Sequence, residues 1–119
     1  MTIERRHVGK RLSDLVIHRA SSTIYLAGQV AGDPSADITG QTRQVLAAID
    51  KLLAEAGTDN AHILMAQIFL PDLADFAAMN EIWEDWVAPG HAPCRATVEA
   101  PLAKPGWRVE IVVTAAVDG

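Results

Sequence analysis

The hydrophobic positions change their period several times along the chain, and each change marks an element. Residues 2–8 allow a short leading strand. The stretches "LVIHR" (15–19) and "TIYLAG" (23–28) are rich in β-branched and apolar residues and are separated by the polar turn "ASS", the pattern of a β-hairpin. The next segment, "QVAGDPSAD", reads as a loop by its Gly, Asp and Pro content. From Ile38 or Thr39 to Ala56 the period becomes helical, with Thr42, Val45, Leu46, Ile49, Leu52, Leu53 and Ala56 on one face. Asp37 or Thr39 can accept the first free amides of that helix, and Gly57 supplies a left-handed stop.

A buried strand, "ILMAQIFLPD", is then ended by Pro71. Asp72 opens a second helix, with Asp75 as a capping-box variant and Leu73, Phe76, Ala77, Asn80, Trp83 and Val87 on its core face; Pro89-Gly90 closes it. Asn80 is polar on that stripe, so it needs a hydrogen-bond partner, most often a backbone one. Two strands, roughly 95–100 and 107–117, complete the chain. The order β-β-α-β-α-β-β predicts an α+β fold, a mixed sheet with two helices on one face. The other sheet face is left apolar, and a second subunit is its simplest cover.

Composition narrows the possibilities. A length of 119 residues suits one domain, 1–119, large enough to bury a core without metal or disulfide staples. The hydrophobic fraction of 50% is high for that size and favours a subunit interface. A net charge of -5 argues against nucleic acid as the partner. The one cysteine, Cys94, excludes an internal disulfide and fits a reducing compartment. No apolar run approaches the roughly 18 residues of a membrane span, and "MTIERRHVGK" has no signal-like apolar region. A soluble, cytoplasmic protein with no membrane partner is expected.

Candidate chemistry is concentrated near the C-terminus. The chain lacks a nucleophile elbow, a P-loop, a dinucleotide fingerprint and a zinc-protease motif, and its four histidines show no metal-ligand spacing. In "HAPCRATVEA", alternation puts Arg95, Thr97 and Glu99 on one strand face and turns Cys94 away. In "RVEIVVTAA", Glu110 lies in an apolar strand and shares its face with Val112 and Thr114. Arg95 and Glu110 thus read as opposite charges in neighbouring buried segments. They either neutralise one another or frame a pocket in which Arg95 forks onto a small carboxylate while Glu110 manages a proton or a water.

Taken together, "YLAGQV", "GQTRQVLAAIDKLLAEAG", "IFLPDLADFAAMNEIWEDWV", "HAPCRATVEA" and "VEIVVTAA" resemble the Rid (RidA/YjgF) family of reactive-intermediate deaminases, in order from about residue 12 to residue 117. The resemblance implies a chorismate-mutase-like fold. It also implies a homotrimer with a central barrel and clefts between subunits. The implied activity is hydrolysis of 2-imino or enamine acids of the 2-aminoacrylate type to 2-keto acids and ammonia, with no cofactor and no metal. By the same resemblance Arg95 is the carboxylate-binding Arg and Glu110 the cleft carboxylate, with Gly28, Asn80 and Thr97 at further substrate-binding positions. Two positions depart from the familiar members: Leu12 or Ser13 stands where they carry Tyr, and Thr97 where they carry Cys. These departures are closer to the YoaB-like branch, and Ser13 can offer a hydroxyl in place of the phenol. The rival expectation is a non-catalytic module of the same fold that binds small carboxylates or a protein.

Overall fold

The computed structural model describes residues 2–118. Six strands form one sheet: β1 (Ile3–Val8), β2 (Ser13–His18), β3 (Thr23–Leu26), β4 (Ile63–Leu70), β5 (Cys94–Glu99) and β6 (Glu110–Ala116). Two helices, α1 (Ile38–Ala56) and α2 (Phe76–Trp86), complete the fold. The sheet order is β1-β2-β3-β6-β4-β5. Only β4 and β5 run parallel, so the sheet is mixed as expected. The leading segment is a full strand, which adds one strand ahead of the expected β-β-α-β-α-β-β order.

Helix α1 begins and ends where its local signals place it. Asp37 Oδ1 accepts a hydrogen bond from the Gly40 amide at 2.8 Å. Gly57, at φ +88°, turns the chain out of the helix and donates to Leu53 and Ala54. Asp37→Ala is expected to cost about 1 kcal/mol of stability, read as a lower urea midpoint at unchanged m-value.

The core lies between the helices and one face of the sheet. Leu15, Ile17, Ile24, Ala66, Ile68, Leu70, Ile111 and Val113 point from the strands toward Val45, Ile49 and Leu53 of α1. The opposite face carries exposed Tyr25, Met65 and Val98 with partly buried Val16, Phe69 and Val112, and neither helix crosses it. At the outer strands, surface ion pairs hold the edge. The Arg19 guanidinium beside Glu4 holds that carboxyl below its ordinary value, and His7 does the same for Glu55.

The second helix departs from its sequence expectation. Asp72 caps a short 3₁₀ turn, Leu73–Asp75, by accepting from the Ala74 amide, and α2 proper starts one turn later. Asp75 stands at the N-cap of α2 but its side chain makes no capping bond, because Arg108 takes its carboxylate. The buried residues of α2 are Met79 and Trp83, backed by Ala78, Ile82 and Trp86, while Leu73, Phe76 and Ala77 are exposed. The apolar stripe is wider than its contact with the core, because α2 overhangs the edge strand β5. Part of the stripe faces a cleft.

Candidate functional site

Strand β5 is an edge strand, and its register decides which way Arg95 points. In the parallel pairing with β4, Arg95 lies opposite Ala66 and Thr97 opposite Ile68, both core residues. Arg95, Thr97 and Glu99 therefore share the helix-covered face, and exposed Cys94 points to the other. Above Arg95 lies α2. The guanidinium carbon sits 5.9 Å from the Phe76 ring centroid and 5.3 Å from that of Trp83, the geometry of a cation held over two aromatic faces. Among the described residues no carboxylate lies within ion-pair distance of Arg95. With Leu73, Phe76 and Thr97 it lines a cleft of about 450 Å³.

Two further polar groups belong to this corner. Asn80 lies one turn beyond Phe76 and one turn before Trp83, on the α2 face that overlooks β5. Its Oδ1 and the Oγ1 of Thr97 are buried and have no hydrogen-bond partner. The expected backbone partner for Asn80 Oδ1 is therefore absent among the described residues. Buried oxygens are rarely left unpaired, because each forfeits the water bonds it had in the unfolded chain.

Glu110 belongs to a different corner. It lies opposite Phe69 in the β4–β6 pairing, while Ile111 beside it faces the core. It therefore points to the face opposite Arg95, and β4 stands between their strands. The expectation that Arg95 and Glu110 sit in neighbouring segments is corrected here: chain order is not sheet order, and within one chain they neither touch nor share a face. Instead Glu110 lies against Gly28. A Cβ at Gly28 would collide with Glu110 Oε2 and lie 2.9 Å from Cδ, so only glycine leaves the carboxylate its place. Paired backbone bonds between Gln29 and Ile111, at 2.9 and 3.1 Å, hold the loop after β3 beside β6. Ser13 opens β2, where the Ala27 amide bonds Asp14, so it lies toward the Gly28 end of the sheet and far from Arg95. Neighbouring Leu12 is exposed in the β1–β2 turn.

The candidate residues thus form two groups, Arg95, Thr97 and Asn80 at one edge, and Gly28 and Glu110, with Ser13 two strands beyond, on the other side of β4. A polar cluster that local pattern does not reveal ties the two regions together. Gln41 is fully buried on α1. Its Nε2 donates to the carbonyls of Pro34, Ala36 and Gly106 at 3.2, 3.0 and 2.9 Å, and its Oε1 accepts from the Arg108 amide at 2.9 Å. Arg108 in turn grips Asp75 with two hydrogen bonds, 3.1 and 2.8 Å. Asp75 immediately precedes Phe76, and Arg108 lies two residues before Glu110, so one network positions the α2 wall and the Glu110 strand.

Comparison with known proteins matches the chain to a family. The family model described as Endoribonuclease L-PSP matches residues 4–117. The chain belongs to this family, which is also named Rid, YjgF or RutC. It is 49% identical over 116 residues to a RutC family protein of Haemophilus ducreyi, covering 98% of this chain and 97% of that protein. It is 48% identical over 117 residues to the RutC family protein YoaB of Escherichia coli, covering 98% of this chain and all of YoaB (100%). The crystal structure of a YjgF family member from Neisseria meningitidis superposes with a TM-score of 0.95 at 44% identity, over 100% of this chain and 98% of that one. The Rid family protein YyfA of Yersinia pestis gives a TM-score of 0.84 at 32% identity, over 92% and 90% of the two chains. The family resemblance and its YoaB-like shade, read from the motifs, are therefore correct. Among the described residues no helix is long and apolar enough to cross a membrane, and no group of three or more His, Cys, Asp or Glu side chains could hold a metal ion.

Proposed function

We propose that this Rid-family protein hydrolyses 2-imino acids and their enamine tautomers to 2-keto acids and ammonia, in clefts between the subunits of a homotrimer. The observation that carries the reading is Arg95, a permanent cation lining a cleft beside two aromatic faces, with no carboxylate among the described residues within ion-pair distance. A guanidinium fork matches the two oxygens of a small carboxylate, and such charge-assisted bonds are worth about 1.5–3 kcal/mol each. Buried Thr97 Oγ1 and Asn80 Oδ1 supply further polar groups for a bound molecule or its water.

Assembly supplies the second half. The open sheet face carries Tyr25, Met65, Val98 and Val112, a surface that a second copy would bury. The reading requires that the copies abut around the β5 edge, so that Glu110 of a second copy reaches the substrate gripped by Arg95. Water attacks the imine carbon while the Glu110 carboxylate accepts one of its protons and passes it to the nitrogen. Collapse of the resulting carbinolamine then expels ammonia and leaves the keto acid. The chain's own residues perform each step, so no cofactor is called for. RNA cleavage, which the family's description suggests, fits less well because a net charge of -5 repels a phosphate backbone.

An amino-acid oxidase that generates imines beside semicarbazide, which traps them, tests the reading. Wild-type protein is expected to lower trapping. Glu110→Gln should lose roughly 10²-fold or more in kcat while still binding 2-keto acids. Unchanged trapping by wild type for every amino acid tried would reduce the site to carboxylate binding without turnover.

A further inference from the structure

The Arg95 cleft also holds information about the rest of the substrate. We infer, resting on the deaminase reading above, that Leu73 and Phe76 form a side-chain subsite that selects 2-imino acids with branched aliphatic or aromatic side chains over alanine-sized ones.

Leu73 and Phe76 are 49% and 41% exposed, although both lie on the apolar stripe of the second helical segment. Neither packs into the core. Both instead line the cleft beside Arg95 and Thr97. The Phe76 ring lies within 5.9 Å of the guanidinium, so a carboxylate docked on Arg95 brings its own side chain alongside that ring. The cleft, about 450 Å³ and open to solvent, leaves room beside the guanidinium for a ligand side chain to lie against Leu73 and Phe76.

The wall is held in place. Glu99 Oε1 accepts a hydrogen bond from the Leu73 amide at 3.3 Å, fastening the start of the 3₁₀ turn to β5. Asp75, two residues beyond Leu73, is fastened by Arg108. An apolar wall fixed at both ends is preorganised for an apolar ligand group, and less ordering is needed on binding. Glu99 shares the strand face of Arg95 and Thr97, so its negative charge disfavours a second carboxylate on the ligand.

The test measures binding and turnover separately. The purified full chain is titrated with pyruvate, 4-methyl-2-oxopentanoate, phenylpyruvate and 2-oxoglutarate, the keto products of small, branched, aromatic and acidic imines. Dissociation constants are expected to fall about tenfold or more from pyruvate to the branched and aromatic acids, with 2-oxoglutarate weakest. Leu73→Ser, an exposed substitution that leaves the core intact, should cut that ratio severalfold, and kcat/KM for the matching imines should follow the same order. Pyruvate or 2-oxoglutarate binding as tightly as the branched acid overturns the inference, as does an unchanged ratio in Leu73→Ser. Ranked binding with no turnover would instead remove the deaminase reading and leave the subsite standing.

Discussion

Arg95→Ala is expected to lower kcat/KM for 2-imino acids by roughly 10²–10⁴-fold, the equivalent of two charge-assisted hydrogen bonds to the substrate carboxylate. The fold should survive the change. Arg95 sits on an edge strand, partly exposed, and its contacts to Phe76 and Trp83 are worth only about 0.5–1 kcal/mol each at such a position. Arg95→Lys separates charge from geometry. A lysine ammonium keeps the positive charge but cannot fork onto both carboxylate oxygens, so KM should rise while kcat changes less. The semicarbazide assay with varied oxidase-generated imine reads both parameters. Activity of Arg95→Ala within tenfold of wild type would mean that the guanidinium serves the aromatic wall and not a ligand.

The largest stability effect is expected far from any charge in the cleft. Gln41→Leu keeps most of the side-chain volume but removes one acceptor and two donors that serve three carbonyls and one amide. Each buried group left without a partner costs about 1–3 kcal/mol, and some will relax toward water, so a loss of roughly 3–5 kcal/mol is expected. Urea unfolding with unchanged m-value measures it. Gln41→Glu refines the result, because a carboxylate still accepts from the Arg108 amide but cannot donate to Pro34, Ala36 or Gly106. Its buried charge also faces three carbonyl oxygens, so Gln41→Glu is expected to lose at least as much as Gln41→Leu. A loss below about 1 kcal/mol in both variants would show that water replaces the amide.

Much of the fold was legible because its signals are local. Asp37 and Gly57 bracket α1 as expected, since a cap and a left-handed stop act within one turn of the chain. The strand alternation that turns Cys94 away from Arg95 is a property of two adjacent residues and needs no knowledge of the partner strand. The face of α2 was not legible. Periodicity identifies an apolar stripe but not how far the helix overhangs the sheet, so Leu73 and Phe76 were placed in the core when they line the cleft. The role of Asp75 was likewise hidden, because its partner Arg108 is 33 residues away.

What the sequence alone determined, then, is most of the elements, the family, and the presence of a guanidinium and a carboxylate in two apolar strands. Helical period, capping chemistry and motif order are written in neighbouring positions, and they survive any arrangement of the strands. Which of those residues meet was decided only by tertiary structure. Strand β6 pairs between β3 and β4, and this insertion places β4 between Arg95 and Glu110. Register then turns their side chains to opposite faces of the sheet, because a strand's side chains alternate and the pairing fixes which set meets the core. The same long-range pairing leaves one sheet face apolar and uncovered. The hydrophobic effect disfavours that exposure, and this is the physical reason for proposing that a second copy covers the face.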